Sequence, residues 1–112
     1  MKRYEEPEPA SPRDVTEALA HGDHQTAARA LVGAAFYYPN WREVQALCLR
    51  LLNDDDRELA AVAATCLGHL ARIHGELDVE VVLAALEEHR NDEVVGSHVR
   101  DALEDIALYI SR

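Results

Sequence analysis

Two stretches of this chain repeat one another at a distance of 36 residues, and that periodicity limits the fold more than any other feature. Residues 55–71 align with residues 91–107, so that Leu59, Ala63, Leu67, Leu70 and Ala71 match Val95, Val99, Leu103, Ile106 and Ala107. The segments before them correspond at an offset of 35, with Leu47, Cys48 and Leu51 matching Val82, Leu83 and Leu86. Within each stretch the apolar residues recur at helical spacing, and no segment alternates with period two over a strand's length. A helix pair of this length that recurs along a chain stacks pair upon pair into an α-solenoid, because neither pair buries its apolar stripe alone.

The punctuation between stripes divides the chain into about six helices. Ser11-Pro12-Arg13-Asp14 supplies an N-cap, a proline at the first helical position and an acid in the first turn. That helix ends at His21-Gly22, and Asp23 caps a second, which Tyr38-Pro39 halts because a residue before proline avoids the helical region. Asn40 with Glu43 opens a third helix, whose stripe is Val44, Leu47, Cys48, Leu51 and Leu52. After the turn Asn53-Asp54-Asp55, a capping box of Asp55 and Glu58 is expected to start a long fourth helix that stops at Gly75. Asp78 caps the fifth, with Leu77 and Val82 as a hydrophobic staple, and Asn91 or Asp92 opens the sixth. The expected fold is all-α: three stacked antiparallel helix pairs, the first weaker and shorter, in one domain over 11–112 after a disordered leader over 1–10. The fourth helix is apolar or small all round, with Leu59, Val62, Ala63, Cys66, Leu70 and Ile73 as its main stripe. It therefore belongs at the centre, with Gly68 at a close contact with a neighbouring helix.

Composition narrows the function. With 48% apolar residues but one Phe and one Trp, the core is aliphatic and alanine-rich, which suits packed helices. A formal charge of −10, from 21 acidic and 11 basic residues, repels a phosphate backbone and suits a basic protein partner, although acidity also serves plain solubility. No apolar run approaches the roughly 20 residues of a membrane span, and the N-terminus lacks the apolar stretch of a signal peptide, so a cytoplasmic protein is expected. Cys48 and Cys66 read as reduced core thiols: a hairpin turning near Asp54 sets Cys48 opposite a residue near position 60.

Nothing in the sequence reads as a catalytic centre, a cofactor motif or a metal site. His21 and His24 straddle a cap, and His69 and His74 lie roughly 140° apart around one helix, so neither pair shares an ion. The candidates for partner binding are surface residues, each of which also has a structural explanation. Asp54, Asp55, Asp56, Glu87, Glu88, Asp92 and Glu93 fall at turns and helix ends, which in a stack of pairs form one acidic edge; solvation and capping account for the same acids. Tyr37, Tyr38 and Trp41 cluster where the first pair meets the second, Trp41 as packing and the tyrosines in excess of it. His69 and His74 flank the fourth helix's stripe, where half-buried packing competes with partner contact.

The stretch Asn53-Asp54-Asp55-Asp56-Arg57-Glu58-Leu59-Ala60-Ala61-Val62-Ala63 resembles the turn and second helix of a HEAT repeat. Tyr37-Tyr38-Pro39-Asn40-Trp41-Arg42-Glu43-Val44-Gln45, Cys48-Leu49-Arg50-Leu51-Leu52 and Ala64-Thr65-Cys66-Leu67-Gly68-His69-Leu70-Ala71-Arg72-Ile73-His74 further resemble small bacterial HEAT-like proteins. Some of these serve as immunity proteins of polymorphic or contact-dependent toxins. The resemblance spans about residues 15–110 and implies a protein-binding module that occludes the active site of a basic toxin domain, a nuclease by the charge argument. A HEAT-like structural or regulatory scaffold without a toxin partner is the second reading, and a small histidine- and carboxylate-dependent hydrolase or lyase the third.

Overall fold

Six helices form among residues 6–110, the part of the chain that the computed structural model describes: α1 Pro12–Ala20, α2 His24–Tyr37, α3 Trp41–Leu51, α4 Arg57–His74, α5 Val79–Glu88 and α6 Gly96–Tyr109. No strand occurs among the described residues. The caps explain most of the boundaries. Ser11 and Asp14 exchange reciprocal bonds in a full capping box, the Asp14 carboxylate accepting from the Ser11 N–H at 2.8 Å. Asn40 Oδ1 accepts from the Glu43 N–H at 3.4 Å, while its amide donates to the Glu43 carboxylate. Gly75 ends α4 in the left-handed region at φ 66°, where a Cβ would be strained.

Three starts differ from expectation, and the sixth helix is one of them: it begins at Gly96 behind Val95 with no side-chain cap, and Asp92 closes the turn before it instead of opening it. The cap of α4 is Asp56, not Asp55: Asp54 Oδ1 accepts the Asp56 N–H at 2.8 Å, and that tight turn brings the Asp56 carboxylate over the N–H groups of Glu58 and Leu59. Asp55 is left exposed. Asp78 stands at the start of α5 without capping it through its side chain. The buried Gln45 takes that residue instead, donating to its carboxylate at 2.7 Å and accepting its N–H at 2.8 Å.

Side-chain bonds fix the topology. His24 meets Asp56 and Phe36 meets His69, so α2 and α4 run parallel. Arg57 meets Asp92 and Thr65 meets His98, so α4 and α6 run parallel as well. Trp41, at the start of α3, donates to Glu76 just past the end of α4, so these two are antiparallel. Gln45–Asp78 and Asn53–His89 tie α3 to α5 in parallel. The result is three antiparallel pairs stacked in two layers, α1–α3–α5 and α2–α4–α6, the helical-repeat architecture expected of the repeat.

The core lies between the layers and is aliphatic, with Leu31, Val44, Leu52, Leu59, Leu67, Leu70, Val82, Leu86 and Val99 fully covered. Helix α4 packs on α2, α3 and α6 and is buried along most of its length. Its exposed line is not the one expected. Ile73 is 40% exposed and Val62 half-buried, whereas Ala60, Ala61, Ala64, Gly68 and Ala71 are buried. Small residues face inward here because neighbouring helices approach closely: a Cβ on Gly68 would lie 3.2 Å from the Ala102 Cα of α6. The cysteines also differ from expectation. They are free and buried, but Cys48 lies beside Cys66, the neighbour that pushes its thiol up. Helix α4, 18 residues against 11 in α3, starts beyond the end of its partner, and this stagger brings Cys48 level with Cys66.

Of the leader expected over 1–10, positions 1–5 lie outside the described residues. Residues 6–10 form no helix and lie against α2 at Gly33, where a Cβ would collide with the Glu8 carbonyl oxygen and approach Ala10. They occupy the outer flank of the first pair, where a longer solenoid would carry another repeat.

Candidate partner-binding surfaces

The parallel order of α2, α4 and α6 sets their N-termini side by side and does bring the expected acidic edge together. Its internal bonding is a ladder. Asp56 caps α4 and also accepts from His24 Nδ1, at the start of α2, at 2.6 Å. Asp92 accepts the Val94 and Val95 N–H groups at 2.9 and 3.0 Å ahead of α6, and takes Arg57, the first residue of α4, at 2.9 Å. Each carboxylate thus accepts N–H groups at or just ahead of its own helix and holds the donor that opens the preceding one, His24 or Arg57. The Asp56 carboxyl lies below its ordinary range through the His24 hydrogen bond first and the Leu59 N–H next. Asp92 is lowered by the Val95 and Val94 N–H groups and then by Arg57. His89 reinforces the edge: Arg57 donates to its Nδ1 at 3.3 Å, so that ring nitrogen carries no proton, and its Nε2–H donates to Asn53 at 3.0 Å.

This bonding separates the seven expected acids. Asp54, Asp56 and Asp92 are committed to turn and cap bonds. Glu87 pairs with Arg90 at 2.9 Å, both half-exposed. Asp55, Glu88 and Glu93 project into solvent. Helix N-termini carry partial positive charge, so acids at the caps are partly neutralised and the edge is less negative than its formal count.

The aromatic cluster lies at the opposite ends of the same helices. Tyr37 is 46% exposed, with its ring 6.0 Å from Phe36. Tyr38 packs against the core, and its phenol is pushed up by its hydrogen bond to the Glu43 carboxylate. Trp41 donates to Glu76 at 2.9 Å, and the Arg42 guanidinium sits 4.4 Å from its ring centre. Trp41 is therefore a joint between the α2–α3 and α4–α5 connections, while Tyr37 is exposed and available for contact.

His74 is tied down: its Nε2–H donates to the Ala35 carbonyl of α2 at 3.2 Å. His69 is more open. It meets Phe36 edge to face at 4.9 Å, and its Nδ1 accepts from Arg72 at 2.9 Å. Burial first, then the Arg72 charge, keep its pKa below the usual imidazole value, against a smaller opposing pull from Asp105. Among the described residues no group of three or more His, Cys, Asp or Glu side chains converges as a metal site would.

A further exposed set lies outside the residues that the sequence singles out. Ile73, Leu108 and Tyr109 are 40%, 71% and 48% exposed at the C-terminal ends of α4 and α6, beside Tyr37 at the end of α2. The signal was present: Leu108 and Tyr109 stand off the Val99, Ala102, Ile106 stripe. A helix end simply has no polar complement by which to tell an exposed apolar residue from a packed one.

No family model matches the chain, and no curated protein matches it. Among solved structures, a chain in the crystal structure of a CDI (contact-dependent inhibition) complex from Cupriavidus taiwanensis LMG 19424 shares the fold with a TM-score of 0.83 and 32% sequence identity. The match covers 97% of this chain and 98% of that one.

Proposed function

We propose, from the premise that this chain belongs to the family of that helical protein of the Cupriavidus contact-dependent inhibition complex, that it is an immunity protein, a non-enzymatic inhibitor that binds a toxin domain. One observation carries the reading: sequence and fold agree over essentially the whole length of both chains, so the likeness is not confined to a generic helix pair. The surface chemistry supports a basic toxin, a nuclease by preference. With a formal charge of −10 the chain attracts a domain built to hold phosphates and repels nucleic acid itself. Inhibition would be by occlusion, with carboxylates standing where the substrate's phosphates would lie. Among the described residues no helix is long and apolar enough to cross a membrane. An inhibitor acting on a toxin delivered into the cell belongs in the cytoplasm.

Co-expression tests this directly. Cells producing the toxin domain encoded beside this chain's gene should survive only when the chain is present, and the two should purify together at a 1:1 ratio (about one partner each). Survival without complex formation, or a complex that leaves the toxin fully active, refutes the reading and leaves a helical scaffold in its place.

A further inference from the structure

The acidic edge and the aromatic cluster are two margins of one face. Across the outward side of the second layer, α2 presents Arg29, Val32 and Phe36, and α4 presents Glu58, Val62, Thr65, His69 and Arg72, all half-buried or exposed. Helix α6 adds His98, Asp101, Asp105 and Leu108 in the same register, tied to α4 by Thr65–His98 and by the Gly68–Ala102 approach. Spacings of three, four and seven keep each set on one helical line. At one margin the face ends in the exposed acids Glu58, Glu93 and Asp101; at the other it ends in Tyr37, Ile73, Leu108 and Tyr109.

We infer that the partner seats across this face, its basic surface on the acidic margin and an apolar surface on the Tyr37–Ile73–Tyr109 margin. The inference rests on the immunity reading and commits to the same occupant, a basic toxin domain. Three considerations carry it. The acids at this margin are those the ladder leaves unused, so partner cations meet carboxylates that folding has not claimed. The large apolar side chains at the far margin gather at the ends of three adjacent parallel helices, whereas an exposed residue such as Val81 on α5 stands alone on the other layer. The size also fits. Three helices about 10 Å apart and roughly 21–27 Å long present about 700 Å², close to the roughly 800 Å² per partner of a standard interface.

The test uses the purified toxin domain encoded beside this chain's gene, with affinity and rate constants measured by surface immobilisation. Ile73→Glu, Leu108→Glu and Tyr109→Ser should each weaken binding by about 30-fold or more, through faster dissociation, as loss of an anchor does. Val81→Glu should bind as wild type. Glu58→Lys with Asp101→Lys should slow association and flatten its dependence on salt. If wild type binds and the three apolar-margin variants bind equally well, this face is wrong and the immunity reading stands. If wild type neither binds nor protects, both fall. Should a variant fail to fold, methyl spectra of the wild-type complex decide: Ile73 and Leu108 signals should shift while Val81 signals stay, and the reverse pattern overturns the inference.

Discussion

Replacing Gly68 measures the closeness of α4 and α6. A Cβ there would lie 3.2 Å from the Ala102 Cα, 3.5 Å from its Cβ and 2.8 Å from an Asp105 carboxylate oxygen. The carboxylate can swing aside; the Ala102 backbone cannot. Gly68→Ala gains about 1 kcal/mol of helix propensity and loses a similar amount in moving α6 by a few tenths of an ångström, so its net effect should stay within about 1 kcal/mol. Gly68→Leu adds three more carbons directed at a helix backbone, and overpacking of that kind costs roughly 1–3 kcal/mol. For a domain near 100 residues that lowers the melting temperature by about 5–15 °C. Thermal melts followed by circular dichroism, with Gly68→Ala beside Gly68→Leu, separate propensity from packing. A Gly68→Leu protein that melts at or above wild type would mean that position 68 faces open space and that the α4–α6 contact is not as described.

Gly33→Ala should release residues 6–10 without unfolding the domain, because the Glu8 carbonyl lies where the new methyl must go; faster cleavage of that segment by a nonspecific protease, at unchanged melting temperature or above, checks it. Neither cysteine should react with an aqueous thiol reagent until the protein unfolds, since both are buried and the Cys48 thiol is raised well above its ordinary value by the neighbouring Cys66 and burial; rapid native labelling would contradict this. Urea midpoints should fall with pH in two windows. His69 is lowered in the folded state, so the stability tied to its neutral form is complete above about pH 6.5 and lost as pH falls below it. Asp23, Asp56 and Asp92 are lowered too, so their contributions are complete above about pH 4 and lost as pH falls further; a His69→Gln protein should lose the first window and keep the second.

The fold was legible because every helix carries an apolar stripe, because a side-chain cap marks the first four, and because the stripes repeat. Boundaries slipped where a local bond between neighbours decided the outcome. Asp55 and Asp56 are equivalent to a capping rule, and only the Asp54–Asp56 turn bond chooses between them. The inward side of α4 departs from expectation for a related reason. Hydropathy ranks Ile73 and Val62 above Ala64 and Gly68, yet where helices touch it is the small residue that must face in. The stagger of α3 against α4, and with it the Cys48–Cys66 neighbourhood, depends on the path of a five-residue connection that no periodicity encodes.

The candidate site was legible in part for a reason the repeat itself supplies. An acid that recurs at the repeat period serves each unit alike, as Asp56 and Asp92 do 36 residues apart, and its duty is to the fold. An acid without a counterpart is one the stacking does not require. Glu58 aligns with Val94, Asp101 with Thr65, and Glu93 with Arg57. The last of these is informative. In the ladder each cap is followed by a donor that the next carboxylate holds: Asp23-His24 is answered by Asp56, and Asp56-Arg57 by Asp92. After Asp92 the sequence turns to Glu93, an exposed acid where the other two rungs carry His24 and Arg57, and Asp101 is exposed on the same helix layer. Formal charge alone ranks Asp56 and Asp92 with Glu58, Glu93 and Asp101; the period divides them, and on the proposed interface the second group is the one that meets the partner.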